Sequence, residues 1–551
     1  VRRALGILGP LVGLGLVGAW VEGSAWLAPL RESLRADAVP ESALEVGPLG
    51  KLLRGNGLLR SERAEVDDRW PRESRNVLRA ETEPHEARLD SVAPAAELAS
   101  RGLPLISIAV SEEDLHDPGR GILFNWRERW ERPAHVSYFE GGEHLFETDC
   151  GLRLHGGSSR APVMKDGRDR GWHSYRVYLR EGYGAAAFPS GMIFGPETEP
   201  LSRLIVRGRS PYSCAMAFDV ARRVGLDAPA MRPALFLLNG ELQGFFSLAE
   251  HVSRRQWSVR LGHEELDFYR IRGTNEDSDQ RAYAALHRWV ARMEPGKITW
   301  KRLSRKIDMG QLSRNLFVVG WTGVHDWVQG AAYLDRSREL PRWRWVHWDM
   351  DNSFELHPDL AREGFEQVPF VELLLHRPTS LRGRIFAGLL RDDPHFRKRF
   401  AALSMEMMNH RLTPAFLDAR RRHYARIFGS KTHPGREVRR SSSFLRHRNR
   451  QVEADLAEHF GFAEAVTCRV RAHGEQGLVV DGYPVADSYA GRYFPGQMLR
   501  VRAAGGDAER SFVVNGELVR ARELELRVEG RTRVVLLDEA RERAGIGPTD
   551  G

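Results

Sequence analysis

Residues 311–355 constrain this chain more than any other stretch. They read QLSRNLFVVGWTGVHDWVQGAAYLDRSRELPRWRWVHWDMDNSFE. Leu312, Leu316, Val319 and Trp321 recur near helical spacing, which predicts a buried helix ending near Gly323. His325-Asp326-Trp327 follows. A strand is expected around Tyr333, a turn at Leu340-Pro341, and a second strand from Trp343 to Trp348 that ends in Asp349-Met350-Asp351-Asn352. A helix, one acid, a hairpin and a terminal acid pair bring Asp326 toward Asp349 and Asp351. Carboxylates gathered at strand ends suit Mg²⁺ and phosphates. Alone, the D-x-D pair is better read as two turn formers after a strand. The flanking Trp327, Trp343, Trp345 and Trp348 are expected to wall the acids with apolar surface, which argues against idle solvated turns.

The ordered pattern of helix, xxDW, hairpin and W-x-x-x-x-W-D-x-D resembles the CotH family, the spore-coat-H-type atypical protein kinases. Three further stretches carry the same resemblance: LPLISIAVSEEDLHDPGRGILFN from Leu103, GLRLHGGSSR from Gly151, and PALFLLNGELQGFFSLAEHV from Pro233. The resemblance implies an α+β fold, an atypical protein-kinase-like two-lobed domain over residues 101–462. It also implies Mg²⁺ and ATP as cofactors and a protein substrate with an accessible Ser or Thr. Carried over residue by residue, it makes Asp326 the catalytic base, Asp349 and Asp351 the metal ligands, and Trp343 a wall of the nucleotide site.

Between strand patterns at Leu152/Leu154 and Tyr175/Val177/Leu179 sits Gly156-Gly157-Ser158-Ser159-Arg160. Its backbone donors suit phosphates, with Ser158 in the loop and Arg160 adding a forked cation; the same residues also suit a plain hairpin turn. Where the family commonly has Lys-Lys-Ser-aromatic-Arg, this chain reads Trp172-His173-Ser174-Tyr175-Arg176. Arg176 is left as the phosphate cation, although arginine is a poor replacement for a lysine point charge. Glu250, at the end of the NGE hairpin, is expected to orient that cation. The family's second metal-binding Asn would fall at Ala331, with Gln329 nearby. Two readings therefore stay open: an active kinase, or a catalytically inactive CotH-fold binding protein at the cell surface.

The remaining chain sets the context. A hydrophobic share of 42% with 28% charged residues is a globular composition, and 551 residues allow two or three domains. The formal charge of +8 is carried almost wholly by arginine spread along the chain, without an aromatic-interleaved basic motif, so no nucleic-acid partner is expected. Arg2-Arg3 precedes residues 4–21, which lack a charge and as a helix would rise about 27 Å. Residues 1–25 thus read as a signal peptide or membrane anchor, which implies a bacterial inner-membrane protein facing outward or a secreted or periplasmic one. Residues 26–100 read as a charged, proline-broken linker. Cys150, Cys214 and Cys468 lack metal-site spacing and read as ordinary buried residues. From Val466 the period changes to two, which predicts a small C-terminal antiparallel β domain over residues 463–551.

Overall fold

The computed structural model describes residues 102–538, apart from 158–159, 162–163, 166–167, 170–172, 272–279, 363, 474–476 and 506–507. The expected N-terminal segment, the linker and Ser158 lie outside the described residues. Among the described residues, helices and strands are mixed, at 33% and 29%. No helix among the described residues is long and apolar enough to cross a membrane.

The first part of the chain is strand-rich. β1 (Leu105–Ala109), the short helix α1 (Glu112–His116), β2 (Glu131–Glu140) and β3 (Glu143–His155) come first. A ribbon of β4 (Met164–Lys165) and β5 (Arg168–Asp169) precedes β6 (Ser174–Tyr178) and β7 (Arg203–Arg207). Helix α2 (Pro211–Arg223) leads to β8 (Met231–Leu238) and β9 (Glu241–Glu250). The strands close into a barrel in the order β1-β2-β3-β6-β7-β9-β8, sealed by the parallel pairing of β1 with β8. Alternation divides each strand: Ile106, Val136, Leu152, Val177, Val206 and Leu248 fill the barrel, whereas Ile205, Leu235 and Ala249 face the helical core. Between β8 and β9 the turn is Asn239-Gly240 with φ of 49° and 79°. That pair of left-handed residues matches the twist of a tight hairpin.

The helical part follows. It contains α3 (Arg254–Leu261), β10 (Leu266–Ile271), α4 (Gln280–Ala291), α5 (Trp300–Leu303), α6 (Met309–Thr322), β11 (Gly330–Asp335) and β12 (Trp343–Val346). β10, β11 and β12 make a three-stranded sheet in which Leu334 lies opposite Trp343. Then come α7 (Pro358–Arg362), α8 (Val371–Leu375), α9 (Leu381–Asp392), α10 (Phe396–Glu406), a π-helical turn (Met407–Arg411), α11 (Pro414–Phe428) and α12 (His433–Phe460). Helix α6 runs where its periodicity places it. The Asp308 side chain caps its start by accepting from the Gln311 N–H at 3.0 Å, and Gly323 ends it at φ 75°.

The last strands are β13 (Val466–Ala472), β14 (Leu478–Val480), β15 (Tyr483–Val485), β16 (Ser488–Tyr493), β17 (Met498–Ala503), β18 (Arg510–Val514), β19 (Glu517–Ala521), β20 (Leu524–Arg527) and β21 (Thr532–Leu536). They form two sheets, β16-β13-β21-β18-β19 and β15-β14-β17-β20, around Val470, Leu499, Phe512 and Val534. One pairing departs from the antiparallel expectation: β13 and β21 run parallel, because the last strand enters the sheet between β13 and β18. The three cysteines are free and buried.

The end of α6 is held by Arg448 of α12, which is 0% exposed. Its guanidinium donates to the carbonyls of Gly320 at 2.6 Å, Trp321 at 2.8 Å and Val368 at 2.6 Å. Gly320 and Trp321 belong to the last turn of α6, whose carbonyls lack helical partners. Burial lowers the Arg448 guanidinium to about 9. Arg448→Met fills the space but strands these carbonyls, and is expected to lower unfolding stability by about 3 kcal/mol, read from the urea midpoint.

Candidate functional site

Three acids meet where the helical part faces the barrel. Asp326 lies in the loop after α6, past Gly323. Asp349 and Asp351 follow β12, and Asp349 takes the left-handed conformation at φ 64°, which turns the chain so that both acids address one point. That point is a nitrogen of Arg207: Nη2 lies 2.9 Å from Asp349 Oδ1 and 2.9 Å from Asp351 Oδ2. Asp326 is tied to the same loop by Asn352, whose Nδ2 lies 3.5 Å from Asp326 Oδ1, and Gln329 donates to its other oxygen at 2.9 Å. Burial, and then the charges of Asp349 and Asp351, raise the Asp326 carboxyl to about 6. Burial also raises Asp349, against the pull of Arg207. Two carboxylate oxygens that converge on one point form a hard donor set suited to Mg²⁺.

Opposite the acids, the outer face of the barrel is cationic. On β6 and β7 the residues of one parity, Tyr175, Val177, Leu204 and Val206, belong to the barrel core; Arg176, Arg203 and Arg207 have the other parity. His155 ends β3 and His251 follows β9. Arg176 donates to the Tyr178 hydroxyl at 2.8 Å, and its Nη2 lies 3.0 Å from His155 Nδ1. Burial, then the surrounding guanidiniums of Arg176, Arg207, Arg270 and Arg160, hold His155 well below the ordinary histidine range. His251 is lowered in the same way. Burial brings Arg160 down to about 10. Among the described residues, Arg160 Nη1, Arg176 Nε, Arg207 Nε and both ring nitrogens of His251 are buried without a hydrogen-bond partner. The unsatisfied guanidinium donors of Arg160, Arg176 and Arg207 on one face favour a multivalent anion.

The residues singled out in the sequence fare differently. Asp326, Asp349 and Asp351 come together. Arg160 and Arg176 join the cationic face, and Arg160 also reaches back to the Gly157 carbonyl at 3.4 Å. Glu250 does not meet Arg176. It shares parity with Phe246 and Leu248, so its carboxylate accepts from the Ala230 N–H at 2.5 Å and lies 3.7 Å from Arg260. Trp343 stands at the end of β12 remote from Asp349; it is 4% exposed and meets Tyr283 edge-on at 5.5 Å. Ala331 is a core position of β11, packed with Phe268, Tyr333 and Val346, so an amide there would enter apolar surroundings. The amides that do reach Asp326 are Gln329 and Asn352.

Sequence reasoning missed Arg207, His155, His251 and Asn352. Asn352 was legible as the neighbour of the acid pair. The others become visible only once strand pairing fixes which parity faces the helices. A second group, Glu372, Asp455 and His459, also lies close together. There His459 Nε2 already sits 2.6 Å from Glu372 Oε1, an ion pair that accounts for the cluster.

Residues 213–445 match the family model described as CotH kinase protein. The match takes in Glu250 and the three acids but begins after Arg207. No curated protein sequence matches the chain. Among solved structures, a crystal structure of the Golgi casein kinase is similar at a TM-score of 0.24 and 8% identity, over 78% of this chain and 93% of that one.

The Asp326 shift has a sign that can be tested. A carboxyl raised in the folded state favours the protonated form, so its contribution is full below the unfolded value near 3.8 and is lost as pH rises through about 6. Asp326→Asn is therefore expected to stabilise the fold at pH 7.5 by about 2 kcal/mol and to change little at pH 3.5, as measured by urea unfolding at both values.

Proposed function

Because residues 213–445 support assigning the chain to the CotH kinase family, we propose that it is an atypical protein kinase that transfers the ATP γ-phosphate to Ser or Thr of a protein partner. One observation carries this reading: three carboxylates converge at a loop that faces a barrel wall of buried, partly unsatisfied cations. Phosphoryl transfer needs little covalent chemistry from the protein, but it needs positioning and charge compensation on both sides of the phosphates.

In this reading, the cations of the barrel wall, Arg160 and Arg176 among them, hold the polyphosphate. Asp349 and Asp351 would hold Mg²⁺, which when bound offsets phosphate charge. Asp326 orients the acceptor hydroxyl and takes its proton. Its carboxyl, raised to about 6, remains largely ionised at neutral pH while being a stronger base than an ordinary aspartate. Gln329 and Asn352 fix its direction. A cavity of about 530 Å³ lined by Ser353, Phe354, Glu355, Glu437 and Arg440 opens next to the acid loop. Its place beside Asp351 supports an acceptor segment approaching from that side.

A second reading has its own support. Arg207 already bridges the two acids, as expected of an inactive CotH-fold binding protein whose metal ligands have become a structural ion pair. Label transfer from ATP to protein acceptors by the full chain separates the two. Asp326→Ala is expected to cut transfer by about 10³-fold while ATP affinity, measured by calorimetry, is retained. Asp349→Asn is expected to remove Mg²⁺-dependent ATP binding without loss of the folded state. Mg²⁺-dependent ATP binding with no transfer by the wild-type chain to any acceptor would favour the binding protein.

A further inference from the structure

Arg207 lies between two sites of opposite charge. On one side its Nη2 is shared by Asp349 Oδ1 and Asp351 Oδ2, at 2.9 Å each. On the other, it belongs to the same outer barrel face as His155 and Arg176, and its charge is among those that depress the His155 imidazole. Its Nε is buried and has no hydrogen-bond partner among the described residues. The strand register explains the position. Arg207 ends β7, opposite Ser247 of β9. The neighbouring Gly208 N–H donates to Ser174 Oγ at the start of β6, and Ser174 pairs with His155 at the end of β3. The GGSSR loop begins one residue later, so Arg207 stands on the rim from which that loop leaves.

Two carboxylates this close repel each other unless a cation lies between them. In this structure the cation is the guanidinium of Arg207. A divalent ion held by the same two oxygens would replace it there, and an arginine left beside that ion would meet like charge in a poorly screened setting. The neighbouring anion site offers the displaced guanidinium a partner, because a polyphosphate brings oxygens to the face that Arg207 shares with Arg176. A planar fork with a free edge suits that exchange.

Resting on the kinase reading given above, we infer that Arg207 is a nucleotide-binding residue that serves as the resting counter-ion of Asp349 and Asp351 and passes to the phosphates when metal and nucleotide enter together. Metal and nucleotide then bind with positive coupling, each removing a competitor of the other. By linkage, the coupling is the same whichever is added first.

The test is a titration of the full chain with Mn²⁺ alone, read by the free-ion electron paramagnetic resonance signal, and again with the non-hydrolysable analogue AMP-PNP present. With the Mn²⁺ that AMP-PNP chelates on its own subtracted by a protein-free titration, the wild-type chain is expected to bind Mn²⁺ at least tenfold more tightly with AMP-PNP than without it. Arg207→Gln is expected to bind Mn²⁺ alone at least tenfold more tightly than wild type, to bind AMP-PNP more weakly, and to lose most of the coupling. Arg207→Lys, which keeps the charge, is expected to fall between the two. Equal Mn²⁺ affinity with and without AMP-PNP in the wild type overturns the inference, whatever the variants do. So does equal Mn²⁺ affinity of wild type and Arg207→Gln in the absence of nucleotide, even if the kinase reading survives. Failure of the wild-type chain to bind AMP-PNP at any Mn²⁺ concentration overturns the kinase reading and the phosphate role of Arg207 together.

Discussion

The position of Asp326 depends on two buried guanidiniums that grip the chain on either side of it. Arg448 holds the carbonyls of Gly320 and Trp321 before the loop. Arg382 holds those of Trp327, at 2.5 Å, and Gln329, at 2.8 Å, after it. Arg382 also donates to Asn315 Oδ1 at 2.6 Å, which ties the loop back to α6. Burial lowers both guanidiniums, Arg382 to about 10 and Arg448 to about 9. Both neutralise carbonyl dipoles that would otherwise be stranded in the core. A loop fixed at both ends can hold a carboxylate against two others without swinging away, and the raised Asp326 carboxyl is the cost of that rigidity.

Charge in the site is divided by secondary structure. The acids sit on loops at the ends of a helix and of a hairpin, where the backbone can turn. Arg176, Arg203 and Arg207 sit on barrel strands, where alternation gathers one parity onto one face, and Arg160 joins them from the loop after β3. Neither half is electrostatically comfortable alone: the acids repel each other, and the arginines depress the histidines among them. Arg207 forms an ion pair that joins the halves, and it lies outside the region matched by the family model.

Much of the fold was legible because local chemistry and tertiary structure agree. Helix α6 follows its apolar spacing and stops at Gly323. Hairpins fall at Asn239-Gly240, Asp481-Gly482 and Asn515-Gly516, each with both residues left-handed. The convergence of Asp326 with Asp349 and Asp351 followed from the order helix, acid, hairpin, acid pair. Strand partnership was harder to read. Glu250 looks like an orienting acid until its parity puts it on the side of Phe246. Trp343 looks like a site wall until its register with Leu334 sends it into the core. The parallel β13/β21 pairing joins segments far apart in sequence, which no local pattern encodes.

The π-helical turn before α11 also has a consequence for how the chain behaves outside its folded state. Asn409 in that turn donates to the Arg492 carbonyl at 2.8 Å and accepts from the Arg492 N–H at 3.0 Å. Arg492 lies on β16, an edge strand of its sheet. One side-chain amide thus does what a neighbouring strand would do, and Glu453 holds the same residue through its guanidinium. An uncovered edge is a template for pairing with another chain. The C-terminal sheets therefore rely on the helical part to keep them from self-association, and cutting the chain between the two would create an aggregation-prone edge at β16.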